Sequence, residues 1–142
     1  MKLRVNLIFT LILTLSTFKI YSQKGRNLIG CWQVKTDNND SKVHWQFEKD
    51  SIKYIIISCD KDTREVFNVS VMEGTYKVVG DTIFSKIDFE PSSLNIPFKF
   101  QKHNKLVLGD KEVKHTLIRT SVCLRYRKVL TSDGGFYWEL IN

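Results

Sequence analysis

The sequence predicts an all-β protein, an antiparallel up-and-down barrel of about eight to ten strands, and three observations carry that reading. Short alternating or apolar runs recur from Val43 to Val129, turn-forming residues separate them, and no helical periodicity is evident after Gln23. Strands joined this way, with no helices to cover a sheet, must curl into a barrel or stack as a sandwich. Closure is the simpler way to hide both edges and apolar faces.

Val43, Trp45 and Phe47 alternate with His44, Gln46 and Glu48, the pattern of a strand with one buried and one wet face. Strand-like runs follow at Ile52 to Ser58, Glu65 to Met72, Gly74 to Val79, Thr82 to Ile87, Ile96 to Gln101, Lys105 to Leu108 and Ile118 to Val129. Lys49-Asp50-Ser51, Gly80-Asp81, His103-Asn104 and Asp133-Gly134-Gly135 favour short reversals, which implies consecutive antiparallel hairpins. Pro91 and Pro97 bracket a loop and terminate strands, because proline gives no ladder donor. Phe136 to Leu140 is too aromatic for a free tail. It is expected to dock, either along the strand ending at Val129 or across a barrel mouth.

The 142 residues amount to about one domain, and 42% hydrophobic with 12% aromatic residues is enough for a packed core. Residues 1–22 read as a secretory signal peptide: Lys2 and Arg4 precede the apolar run Leu7 to Leu15, with cleavage expected after Ser22. The run is too short to span a bilayer and no later stretch is longer, so no membrane span is expected. The mature domain is then 23–142, exported to the periplasm or secreted. Removing Lys2, Arg4 and Lys19 leaves 19 basic against 15 acidic residues, a charge of +4 rather than +7. The segment Arg125, Arg127, Lys128 reads as a solvated strand face, and nucleic acid is not expected as a partner.

Leu28-Ile29-Gly30-Cys31 also fits the four-residue pattern at which bacterial lipoproteins are lipidated on cysteine. The apolar run ends at Leu15, too far upstream for that context. Cys31, Cys59 and Cys123 are an odd count, so at least one thiol is free or intermolecular, and spacing identifies no pair. Each lies in or beside an apolar run, where a small buried hydrophobe is as good a reading as a bridge.

Leu28-Ile29-Gly30-Cys31-Trp32-Gln33-Val34 places a glycine two residues before a tryptophan at the start of the first strand, and this resembles the opening of lipocalin-type proteins. The blocks Trp45-Gln46-Phe47, Gly74-Thr75-Tyr76-Lys77-Val78 and Lys105-Leu106-Val107-Leu108 are similar to the successive hairpins of small bacterial lipocalin-like barrels. Glycine lets the backbone pass close to the barrel floor and Trp32 plugs that closed end. The resemblance implies a basic residue on the last barrel strand stacked on the indole, with Arg125, Arg127 and Lys128 as candidates and Arg127 chosen.

No Gly-x-Ser-x-Gly elbow, phosphate-cradling loop or paired-histidine zinc helix occurs, and His44, His103 and His115 are dispersed as ordinary surface residues. Asp60-Lys61-Asp62 lacks the spacing and distal glutamate of a calcium loop. Neither an enzyme, a metal nor a cofactor is expected. A barrel of about eight strands is either filled by side chains or just wide enough for one small ligand. The inward candidates Trp45, Phe47, Tyr54, Ile56, Tyr76, Val78, Phe84, Phe98 and Phe100 read as an apolar pocket wall with phenolic hydroxyls, or as core. The expected function is binding of a small hydrophobic molecule by a monomer. The alternative is a filled barrel that meets a protein partner through its open-end loops or the face of His44, Gln46 and Glu48.

Overall fold

Eight strands, each hydrogen-bonded antiparallel to the next, return to the first and close a barrel in the computed structural model, which describes residues 25, 27–36, 40–88, 93–110 and 112–141. The signal segment expected at 1–22 and its cleavage site lie outside these residues. The staves are β1 (Gly30–Val34), β2 (Ser41–Phe47), β3 (Ser51–Cys59), β4 (Val66–Val79), β5 (Thr82–Ile87), β6 (Leu94–Lys102), β7 (Lys105–Gly109) and β8 (Lys114–Thr120). A separate hairpin, β9 (Arg125–Leu130) with β10 (Phe136–Ile141), lies outside the barrel. The up-and-down order predicted from the turns is therefore correct, with Trp32 opposite Trp45 on β1–β2 and Cys31 opposite Thr120 where β1 closes on β8.

Pro97, expected to terminate a strand, instead lies inside β6 opposite Thr82, and two predicted runs change their number of strands for physical reasons. The run Ile118 to Val129 is two strands, because β8 ends at Thr120 and the chain leaves the barrel before β9 begins at Arg125. The runs Glu65 to Met72 and Gly74 to Val79 are one 14-residue strand that changes partner at its middle. Its first half pairs with β3 and its second half with β5. Gly74 sits at the handover, where an added Cβ would overlap the Lys86 carbonyl oxygen, so only glycine permits this approach of the two backbones.

The barrel has two cores, on opposite sides of its wall. Inward residues Trp32, Phe47, Ile52, Ile83, Phe98, Leu106 and Leu117 form the interior cluster. Ile55, Ile57, Cys59, Val69 and Val71 point outward from β3 and β4 and are covered by Leu124, Tyr126, Trp138 and Leu140 of the hairpin segment. This explains why β3 reads as a nearly unbroken apolar run: one residue parity packs inside the barrel and the other lies under the hairpin. The segment Phe136 to Leu140 docks as expected, and of the two expected routes it takes the one antiparallel to the preceding strand.

Cys31 and Cys123 form a disulfide across 92 residues of sequence with Cα atoms 5.3 Å apart, and Cys59 is the buried free thiol. The reading as a small buried hydrophobe fits Cys59 but not the other two. The sulfur of Cys31 is engaged in this bond, so it has no valence left for a lipid thioether. The bond fixes the connection between barrel and hairpin, helped by Thr120 Oγ1 donating to the Val122 carbonyl at 3.0 Å and Gln46 Nε2 donating to the Leu124 carbonyl at 3.0 Å.

Candidate functional site

Strand direction sorts the barrel ends. The turns after β2, β4 and β6 gather at the end where β1 begins, whereas the longer connections after β1, β3, β5 and β7 gather at the other. At the first end lies a floor. Trp32 is fully buried, and its Nε1 donates to the Leu28 carbonyl at 2.8 Å. The Arg119 guanidinium sits over the indole, 4.5 Å from the ring centroid, and Nη2 donates to the Asn27 carbonyl. Gly30 has φ +133°, and a Cβ there would stand 3.5 Å from Arg119 Nη1. Glycine thus permits the backbone conformation, whereas the guanidinium would meet such a Cβ only in ordinary contact. Phe100 also packs against the indole, its ring tilted and its centroid 6.0 Å from that of Trp32.

The cation over Trp32 is therefore Arg119, which corrects the choice of Arg127. Arg127 lies on β9, outside the barrel, where its Nε donates to Glu139. The strand that closes on β1 is β8, and alternation from the buried Leu117 aims residue 119 at the floor. The sequence carries this signal in Leu117-x-Arg119, which a single strand over Ile118 to Val129 obscures.

Above the floor the interior opens. On four strands the inward row passes from buried to accessible: Phe47 to Trp45 and Val43 on β2, Ile52 to Tyr54 and Ile56 on β3, Phe98 to Ile96 and Leu94 on β6, Leu117 to His115 on β8. On β5 and β7 the rows stay buried to the open end, at Ile87 and Leu108. A depression of about 350 Å³ at this mouth is lined by Trp45, Leu94, Ile96, Val113 and His115 among others. Trp45 in this lining is braced, 4.7 Å from Tyr54 and 6.0 Å from Phe47, centroid to centroid; nearer the floor Phe98 meets Phe100 edge-on at 5.8 Å. Tyr76 packs edge-on against Phe47 at 5.4 Å and donates its hydroxyl to the Glu48 carbonyl at 2.6 Å, so it belongs to the floor. Burial raises the pKa of Tyr54, and burial with the nearby Asp50 raises that of Tyr76, so both phenols stay neutral at physiological pH.

Of the seven aromatic residues among the expected pocket candidates, the barrel brings Trp45, Phe47, Tyr54, Tyr76, Phe98 and Phe100 into the interior cluster or its ring contacts. Phe84 does not belong there. Ile83, Ser85 and Ile87 of β5 face inward, which turns Phe84 to the outer surface beneath the Lys77 ammonium at 5.8 Å. The expected wet face of β2 is also corrected: His44 and Gln46 point out of the barrel yet are buried, 8% and 5% exposed, with Gln46 bound to the segment that leads into the hairpin. His44 is thus no surface histidine, and burial, with repulsion from Lys42, holds its pKa below the ordinary value.

Compared with known proteins, the chain matches no family model, no curated protein and no solved structure.

Proposed function

We propose that this chain is an exported, lipocalin-like carrier whose open half takes up one small hydrophobic molecule. The observation that carries the reading is the change along the inward rows of β2, β3 and β6, from sealed at the floor to accessible and apolar at the mouth. A barrel of eight staves has room for a single small ligand and no more. A mouth of about 350 Å³ lies at the lower end of the range of small-molecule sites. The floor built from Gly30, Trp32 and Arg119 supports the lipocalin likeness, and the Cys31–Cys123 bond supports an oxidising destination.

The test is titration of the mature chain with retinol and protoporphyrin while following tryptophan emission. Saturable quenching at one ligand per chain, reduced in Trp45→Phe, is the expected result. A flat response to both probes would overturn the proposal. A second reading, a protein-interaction module, is favoured by Phe67 and Tyr137, which are 72% and 51% exposed beside a groove between β4 and β10. Under that reading a Phe67→Ser, Tyr137→Ser variant loses a partner that the parent chain captures.

A further inference from the structure

We infer that the molecule held in the open half is uncharged and presents a hydroxyl or carbonyl group to Ser85. This rests on the carrier reading above and names the chemical class of its ligand.

Two independent observations lead to it. The first is the charge on the inner wall. Alternation in β1 to β8, anchored on the buried interior residues, puts Val43, Trp45, Tyr54, Ile56, Met72, Leu94 and Ile96 on the inward face above the floor. Among the described inward strand residues the one permanent cation is Arg119, committed at the floor to the Trp32 ring and the Asn27 carbonyl, and none is a carboxylate; Asp110 and Glu112 line the mouth only at its rim, from the connection between β7 and β8. His115 stands at the rim, exposed. Below that rim an ionised headgroup would lose its water with no opposite charge to meet it, and the carboxylates at the rim repel anions, so the wall selects most strongly against fatty-acid anions.

The second observation is an orphan. Ser85 is 2% exposed, and its Oγ is the buried side-chain polar atom without a hydrogen-bond partner among the described residues. It sits on β5 between the inward Ile83 and Ile87, opposite Tyr76 on β4 and Leu94 on β6. The Tyr76 hydroxyl is occupied by the Glu48 carbonyl and does not serve it. Leu94 lines the mouth, and Ser85 is its ladder partner on the same inward face, so the hydroxyl lies beside that lining, one strand over. A buried, unpaired hydroxyl is destabilising in the empty protein, and a ligand that supplies its partner removes that penalty on binding. Serine both donates and accepts, which suits an alcohol and a carbonyl equally.

The experiment follows displacement of the fluorescent probe N-phenyl-1-naphthylamine from the mature chain by decan-1-ol and by decanoate at pH 8, in the parent and in Ser85→Ala. Decanol is expected to compete at least tenfold more tightly than decanoate in the parent. Ser85→Ala is expected to weaken decanol about three- to tenfold relative to the probe, the span of one net hydrogen bond. Its unfolding midpoint in the empty state should be equal or higher, because the alanine removes an unpaired group. If the probe binds but decanoate competes as well as decanol, or Ser85→Ala leaves decanol unchanged relative to the probe, this inference fails while the carrier reading stands. If neither probe nor decanol binds the parent, both fail together.

Discussion

The guanidinium of Arg119 lies 4.5 Å from the centre of the Trp32 ring, joining the last barrel strand to the first at the closed end. The indole is fully buried, whereas the arginine side chain keeps contact with solvent. Arg119→Ala should therefore cost about 1–2 kcal/mol, from an exposed-site cation–π contact plus the bond to the Asn27 carbonyl. Trp32→Ala, which empties the floor, should cost about 3–5 kcal/mol. Arg127→Ala should stay within about 0.5 kcal/mol, since its pairing with Glu139 is solvent-exposed. Urea unfolding of the three variants checks the ranking, and a larger loss for Arg127→Ala than for Arg119→Ala would refute this account of the floor.

The Cys31–Cys123 bond ties the first strand to the start of the hairpin across 92 residues of sequence. A cross-link closing so long a loop removes many conformations from the unfolded chain and should stabilise the fold by about 2–4 kcal/mol. Denaturant midpoints of the oxidised chain and of the chain held in reductant measure this directly. Equal midpoints would mean that the bond contributes nothing to the fold.

His44 is buried on the outward face of β2, and its folded-state pKa lies below the ordinary 6.5. Between the folded and unfolded values the unfolded chain binds the extra proton, so stability falls as pH drops through about 6.5 and continues to fall until the folded value is reached. The slope from this one group is at most about 1.4 kcal/mol per pH unit. Unfolding free energies at pH 7.5 and 5.5 should differ more in the parent than in His44→Gln. Equal differences would show that His44 is not the titrating group.

The barrel itself was legible in the sequence because its signals are local: period-two alternation in Val43 to Phe47, and turn residues such as Gly80-Asp81 and His103-Asn104 between the runs. The interior aromatics followed from the same alternation wherever the register was anchored by two or more apolar residues. Thr82-Ile83-Phe84-Ser85-Lys86-Ile87 offers two parities, and an inward Phe84 corresponds to the one that the barrel turns outward. The structure instead turns inward Ile83, Ser85 and Ile87, the parity that its two isoleucines favour over Thr82, Phe84 and Lys86. His44 and Gln46 misled for a different reason. A polar parity reads as wet, and the hairpin that covers the neighbouring wall comes from residues some 80 positions later, invisible to any local window. The disulfide was beyond reach on similar grounds, since an odd cysteine count leaves three pairings and only topology selects one.

Cys59 lies at the open end of β3, 5% exposed, in the outer core beneath the hairpin. Its thiol reports on whether that hairpin is docked. In the native, oxidised chain a thiol reagent such as DTNB should react only as fast as the hairpin or the whole fold opens, and in denaturant without reductant it should count one thiol. Trp138 is one of two half-buried aromatics that cover this cluster, and it meets the other, Tyr126, edge-on at 5.3 Å. Trp138→Ala should weaken docking by about 2 kcal/mol, within the range for truncating a part-buried aromatic. That raises the open population, and hence the reaction rate, roughly thirtyfold when reclosing is faster than the reaction. The barrel's interior cluster does not include Trp138, so the signature of a local opening is a fast thiol with little change in the quenching of emission by interior ligands. Immediate reaction of the parent thiol would mean that the hairpin does not shield this wall in solution.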